Sequence, residues 1–508
     1  MSERFDVAIV GSGFAGSLLA RVLAVLGREV VLLERGAHPR FAIGESSTPL
    51  ANLSLERLAA RYDLPDCYRL ATHGRWLEHF PELRCGLKRG FTFYRHHPGQ
   101  RPDDATLAAE RLLVAASPNA AVADTHWLRA DVDHHFVRRA VAAGVDYRDH
   151  VELSTAEFDG DGARLRGHRE GAALELHADF VIDATGPGGF LANQLAIPSV
   201  LDRVRTQSAI LFGHFANVRQ MREMAPGMRE GPYPDDWSAM HHLIDEGWMY
   251  SLRFDHGVTS AGFALTPRGL GSLGAIADGD PQRMWSALLD RYPTIAAAFR
   301  EARPLMPLVF RDRIQHRLAS AAGERWALLP HAYAFVDPLF STGIAWSLRA
   351  VERLASCFEP CGGARALPSA ADLARYEALL AAEADQIDAM VAGAYEAMAH
   401  FDLFAAHALI YFATVSFAEV RQRMQPDDSW AWRGFLGVGD PVTASLPARA
   451  RTRLLRITRG RRLAGSARER GEFVDWIRRS IEPRNIGGFG DPAHGNLYPV
   501  DPDVLVDS

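Results

Sequence analysis

Gly11-Ser12-Gly13-Phe14-Ala15-Gly16 places three glycines at the spacing G-x-G-x-x-G. In such a loop the first glycine permits a tight turn, the second lets backbone approach a pyrophosphate, and the third lets helix pack on strand. The helix that follows offers free N–H groups and a positive dipole end to phosphates. Glu34 comes about twenty residues later, where an acidic side chain meets ribose hydroxyls. Gly11, Gly13, Phe14, Ala15, Gly16, Glu34 and Arg35 are therefore candidate dinucleotide contacts. The pattern alone is weak, since a glycine turn in an unrelated fold reads the same way. Other chemistry-bearing types are less pointed. His96-His97 and His241-His242 read as loop or pocket-rim residues, and no spacing resembles a zinc site, so no metal is expected. Cys67, Cys85, Cys357 and Cys361 are too few for a disulfide scaffold; reduced thiols in a cytoplasm are the default.

The elements around the loop strengthen it. Phe5–Val10 is an apolar run fit for a parallel strand buried on both faces. Ser17–Leu26 is small and apolar, a helix that Gly27 closes. Glu29–Leu33 makes a second strand ending at Glu34. Further on, Asn52–Arg61 and Arg129–Gly144 read as helices, and Val151–Ile182 is strand-rich with a turn at Asp159-Gly160-Asp161-Gly162. Ser208–Phe215, Trp248–Phe254 and Val258–Leu265 read as strands of a second sheet, Arg325–Leu329 as a short strand, and Ile344–Cys357 as a helix. Beyond about Pro360 the chain turns Ala-, Leu- and Glu-rich with helical spacing.

Composition is ordinary for a globular protein: 48% hydrophobic, 23% charged, net charge −6. That balance argues against nucleic-acid binding. The arginine run from Arg449 to Arg462 reads as a solvated face. Neither a secretory segment nor a stretch of ~20 uninterrupted apolar residues is apparent, so no membrane span is expected.

Gly44-Glu45-Ser46 follows the second strand, Arg129 opens its helix, and Asp183-Ala184-Thr185-Gly186 ends a strand. Phe335-Val336-Asp337-Pro338 precedes a helix whose amides begin near Ser341. This arrangement resembles the glutathione-reductase-like FAD superfamily, and the resemblance implies FAD, bound without covalent attachment. It adds Ser46, Arg129, Asp337, Gly343 and Ile344 to the cofactor contacts, with Asp337 meeting the flavin-side phosphate and ribityl region. The implied fold is α/β. A Rossmann-type FAD-binding domain comes from residues 1–200 and 311–360, a β-sheet substrate domain is inserted at 201–310, and 361–508 form a helical C-terminal region. There is no second well-placed glycine motif, so no separate NAD(P)H domain is expected. The substrate reduces the flavin, NAD(P)H docks transiently, or reduced flavin arrives from a partner reductase.

Two further motifs are similar to those of the flavin-dependent halogenases, over roughly residues 5–360. Phe335, Pro338, Ser341 and Gly343 match F-x-x-P-x-x-S-x-G at every position. Lys88-Arg89-Gly90-Phe91-Thr92-Phe93 matches K-x-G-x-x-F and puts Lys88, the only lysine in the chain, at the family's catalytic lysine. The resemblance implies that reduced FAD and O₂ give a flavin hydroperoxide, which chloride or bromide converts to hypohalous acid. A desolvated, partly deprotonated lysine then hydrogen-bonds that oxidant or becomes a haloamine; a solvated surface lysine is the plain alternative. Ser341, Thr342 and Gly343 would hold halide. Trp248 and Tyr250 would stand on the substrate side, in a segment where the family has W-x-W-x-I-P and this chain has Trp248-Met249-Tyr250-Ser251-Leu252-Arg253. Phe340 occupies the place of the glutamate of tryptophan halogenases, which implies an electron-rich phenol or pyrrole, free or carrier-bound. An FAD-dependent monooxygenase or dehydrogenase on the same fold, and a non-catalytic FAD-binding partner, remain alternatives.

Overall fold

The computed structural model describes residues 3–101, 104–277, 279–359, 367–425, 428–458 and 465–500. Cys361 and Arg459–Arg462 lie outside them. Strand Glu3–Val10 is central in an eight-stranded sheet, flanked in parallel by Val30–Leu33 and Ala172–Asp183. Val7, Ala8 and Ile9 have no exposed surface because helices and sheet neighbours cover both faces. Helix Phe14–Val25 buries Leu18, Leu19, Val22 and Leu23 completely, each aliphatic side chain worth about 1.5–3 kcal/mol. Gly11 has φ 104°, and a Cβ there would stand 2.6 Å from the Ala184 carbonyl oxygen, so strand ends and helix start meet only around glycine.

The second sheet has nine strands and is mostly antiparallel. Strands Ala209–Ala216, Val258–Leu265, Gly247–Arg253 and Ala239–Ile244 follow one another across it. Beyond Ala239–Ile244 the sheet continues into Gly90–Arg95 and Arg111–Ala115, then Leu497–Tyr498. Strands Gly90–Arg95 and Arg111–Ala115 thus belong to this sheet, although they fall within the 1–200 span expected for the FAD-binding domain. Strand Gly90–Arg95 pairs in parallel with Ala239–Ile244, a connection of over a hundred residues that local pattern cannot reveal.

The C-terminal region is built on helices Ala370–Ala397 and Phe401–Met424. It is bolted to helix Gly343–Cys357 by Arg353 and Glu383, both without exposed side-chain surface and 2.6 Å apart. Trp346 Nε1 donates to the same carboxylate at 2.9 Å. Helix Phe401–Met424 is long and apolar enough to cross a membrane, unlike the expectation of no such segment. It is 67% buried over its most apolar stretch, so its apolarity serves the protein core.

Candidate functional site

At the dinucleotide loop, Gly16 packs so tightly on the Gly11 carbonyl that a Cβ would overlap it. Gly13 differs: a Cβ there would meet only side-chain atoms, Arg129 Nη2 at 3.7 Å and Asp133 Oδ2 at 3.9 Å. The space over Gly13 is therefore bounded by side chains rather than backbone. Gly13 gives helix Phe14–Val25 no side-chain cap of its own. Arg129 lies over the Phe14 ring at 4.7 Å and grips Asp133 through Nε and Nη2 at 2.8 and 2.9 Å. Its Nη1 holds the Ile43 carbonyl at 2.9 Å. Asp133 also accepts from the Phe14 amide at 3.2 Å; sequence reasoning missed this residue, although its i+4 spacing from Arg129 was a signal.

Glu34 accepts from Ser12 N and Oγ, from Gly36 N and from Arg40. Burial raises its pKa, but the Gly36 amide, the Arg40 charge and Ser12 outweigh it and lower it to about 2. The carboxylate is ionised and aimed. Arg35 is exposed beside it. His38 Nε2 sits 2.7 Å from Ser12 Oγ and, with Tyr147 and His134, lines a cavity of about 450 Å³ at this end of the loop.

Asp337 is buried. Its Oδ2 accepts from Ser208 and Tyr395 at 2.9 and 2.8 Å, and its Oδ1 from the Leu339 amide at 3.1 Å. Burial pushes its pKa up to about 6 despite those donors. Two protein donors hold Oδ2 and one holds Oδ1, so this side chain braces the 335–343 loop. Tyr395 also takes the Trp248 indole N–H at 2.9 Å. Trp248 is thereby fixed to the C-terminal helices, a link that no motif announces. The Tyr250 hydroxyl is buried with no partner among the described residues. Arg253 turns to the Val218 carbonyl at 2.6 Å.

Ser341 adopts φ 52°, a left-handed conformation rare outside glycine. Thr342 then starts helix Gly343–Cys357 with no side-chain cap. Gly343, followed by Ile344, faces the His331 ring, 3.0 Å from where a Cβ would be. His331, missed in the sequence, is held neutral by burial and the Arg129 charge, its pKa lowered to about 3.

Lys88 ends strand Cys85–Lys88, opposite Asp124 in strand Asp124–Trp127. It has no exposed surface, which excludes the solvated-lysine alternative. Its Nζ donates to the Ser47 carbonyl and lies 4.1 Å over the Phe91 ring. Burial lowers its pKa to about 8, while the Asp124 charge pushes the other way. Asp124 is raised by burial and countered by Lys88; Asn52 donates to it at 2.8 Å. Next to Ser47, the buried Ser46 Oγ has no partner among the described residues. Three of the four paired histidines are not rim residues; His97 is half-exposed in a loop, 2.7 Å from Glu110. His96, His241 and His242 are buried, with His96 Nε2 2.9 Å from His242 Nδ1 and His241 stacked 4.6 Å from Phe93. Both faces of strand Ala239–Ile244 are covered, so His241 and His242 are buried although they point to opposite sides. His126, also unforeseen, is fully buried with neither ring nitrogen partnered among the described residues. His73, Cys85 and Asp255 come within ligating reach of one another, with His73 and Asp255 paired at 2.8 Å.

Beyond Phe91 lies a cavity of about 70 Å³, walled by Phe91, Tyr411, Phe412, Val415, Glu419 and Phe489 among others. Phe340 backs it, stacked 4.7 Å from Tyr411. That is about half the ~150 Å³ of an apolar cavity that holds benzene.

Residues 6–262, about half of the chain, match the family model of FAD dependent oxidoreductases. The chain belongs to this family. The opening beside Gly13 and the Ser46 Oγ, unpartnered among the described residues, fit FAD. Over 349 residues this FAD-dependent oxidoreductase is 31% identical to tetracycline 7-halogenase of Kitasatospora aureofaciens, covering 67% of the chain and 61% of the relative. It is 29% identical over 370 residues to monodechloroaminopyrrolnitrin halogenase PrnC of Pseudomonas fluorescens, covering 70% and 61%. The chain thus spans about three fifths of the length of these curated relatives. Its fold is similar to that of halogenase PltM solved with phloroglucinol and FAD, at TM-score 0.85 and 23% identity, over 97% of this chain and 99% of that one.

Proposed function

We propose that this FAD-dependent oxidoreductase halogenates an electron-rich aromatic ring of phenol or pyrrole type, using chloride or bromide. The observation that carries the reading is the placement of Lys88. The single lysine of the chain is buried between the Ser46-Ser47 loop and the Phe91 ring that walls an aromatic cavity. The relatives' names support it, since they include halogenases of tetracycline and of carrier-bound pyrrole. Gly13, Phe14, Ala15, Arg129, Glu34 and Ser46 would hold the FAD, and the Ser341-Thr342-Gly343 turn would hold halide at uncapped amides.

When bound, reduced FAD supplies activation of O₂, whose reaction with halide yields hypohalous acid. Lys88 then meets that oxidant. With a pKa near 8, about a tenth of its amine is neutral at pH 7, and the neutral amine can take up halogen. Phe91, Tyr411 and Phe412 exclude water around it, which protects the oxidant from loss. Phe340 offers no carboxylate, which suits a ring already rich in electrons. No second nucleotide site is evident in the glycine pattern, so we assign reduction of FAD to a separate flavin reductase, in a reducing cytoplasm where Cys67, Cys85 and Cys357 stay thiols.

The test is incubation with a flavin reductase, NADH, FAD and bromide against phenols, pyrroles and tryptophan, read by mass spectrometry. Brominated phenol or pyrrole is expected. An oxygenated product that forms regardless of halide would replace this reading with a monooxygenase.

A further inference from the structure

On helix Phe401–Met424 the residues 411, 412, 415, 416, 419 and 420 all line the cavity beyond Phe91. Their spacing of three and four is one helix face. Five of these six carry no net charge at neutral pH; Glu419 is the one carboxylate among the described lining residues. Its side chain is 13% exposed, and Oε1 takes Arg423 at 3.0 Å. Among the described residues, Oε2 has no partner. Three charged groups act on it: Arg423 from its own helix, Glu56 from helix Pro49–Tyr62, and Asp124 from the strand opposite Lys88. Asp124 feels both Glu419 and Lys88, so the cavity carboxylate and the buried amine share one electrostatic neighbourhood. Burial raises the Glu419 pKa, with Arg423 opposing it, and so makes it a stronger acceptor.

We propose that Glu419 anchors the substrate, its Oε2 accepting the hydrogen bond of a ring hydroxyl while the apolar wall holds the ring. This rests on the halogenase reading for the identity of the substrate, but not for the binding itself. The consequence is selectivity. A ring that can donate is preferred, and the carbons activated by the donating oxygen are the ones held in a fixed relation to Lys88. An acceptor-only analogue, such as an O-methyl ether, meets an unpaired carboxylate.

The test uses the FAD-loaded full-length enzyme, with binding of resorcinol and of 1,3-dimethoxybenzene measured by calorimetry. Wild type should bind resorcinol at least about ten-fold more tightly, as expected for a hydrogen bond to a charged acceptor. Glu419→Gln keeps the shape and the Arg423 contact but removes the charged acceptor. It should weaken resorcinol about ten-fold or more and leave the ether within about two-fold. Equal weakening of both ligands, or of neither, overturns the proposal, since a merely structural role moves both together. Should Glu419→Gln fail to fold, a wild-type preference for the ether over resorcinol overturns it equally. If wild type halogenates nothing yet resorcinol binding splits between wild type and Glu419→Gln, the halogenation reading fails and the anchor stands.

Discussion

Replacing Lys88 by methionine separates chemistry from architecture. Methionine fills nearly the same volume against Phe91 and removes the amine. Two folding terms oppose each other. The Lys88 pKa falls from 10.5 to about 8, so keeping the buried amine charged costs about 3 kcal/mol, and the variant is relieved of that cost. It also leaves the Ser47 carbonyl without its donor, at about 1–3 kcal/mol. The net change in stability is under about 2 kcal/mol, and FAD is retained. Product formation falls by ~10²-fold or more, as for loss of a positioned catalytic group. Lys88→Arg fails nearly as badly, because a guanidinium stays charged. Wild-type product formation rises about five-fold from pH 7 to pH 8 and levels off above, following the neutral amine. The stability sign agrees. A lysine whose pKa is depressed by folding destabilises the protein below pH 8, and the cost is relieved as pH rises from 8 toward 10.5. The assay follows brominated product and flavin reoxidation in the same samples. Near wild-type halogenation by Lys88→Met, or a pH profile flat from 7 to 9 with chemistry rate-limiting, refutes the reasoning.

Asp124→Asn removes the charge that favours protonated Lys88, so the rise in product formation should move below pH 8; a shift to higher pH contradicts the pairing. Gly13→Val fills the gap beside Arg129 and Asp133 and should purify colourless, with flavin absorbance as the check; stoichiometric FAD in that variant removes the phosphate site from this loop. Glu383→Gln leaves Arg353 buried without a countercharge and should cost about 3–5 kcal/mol in denaturant unfolding; a loss below about 1 kcal/mol shows the pair to be dispensable.

Short-range chemistry was readable from the chain. A strand, a glycine turn, a helix and an acidic residue at the end of the next strand are consecutive, so Gly11 to Glu34 can be interpreted without knowing what packs on them. In the 335–343 segment the helix expected near Ser341 begins at Gly343. The contacts that hold Asp337 were not legible, because Ser208 and Tyr395 stand 129 and 58 residues away. His96, His241 and His242 were misread because their exposure depends on which strand lies beside them, and the parallel partner of Gly90–Arg95 is Ala239–Ile244.

By itself the sequence determined a dinucleotide loop, an acidic residue at the end of the next strand, and a lone lysine in a recognisable segment, all of which depend on residue type and spacing along one stretch of chain. Only the tertiary structure decided that this lysine is buried against the Ser47 carbonyl, that burial and the Asp124 charge act on its pKa, and that helix Phe401–Met424 walls the cavity beyond Phe91. The physical reason is that desolvation and Coulomb interaction act through space. Residues 47, 88, 124 and 419 share one low-dielectric volume only after two sheets and a C-terminal helix have met.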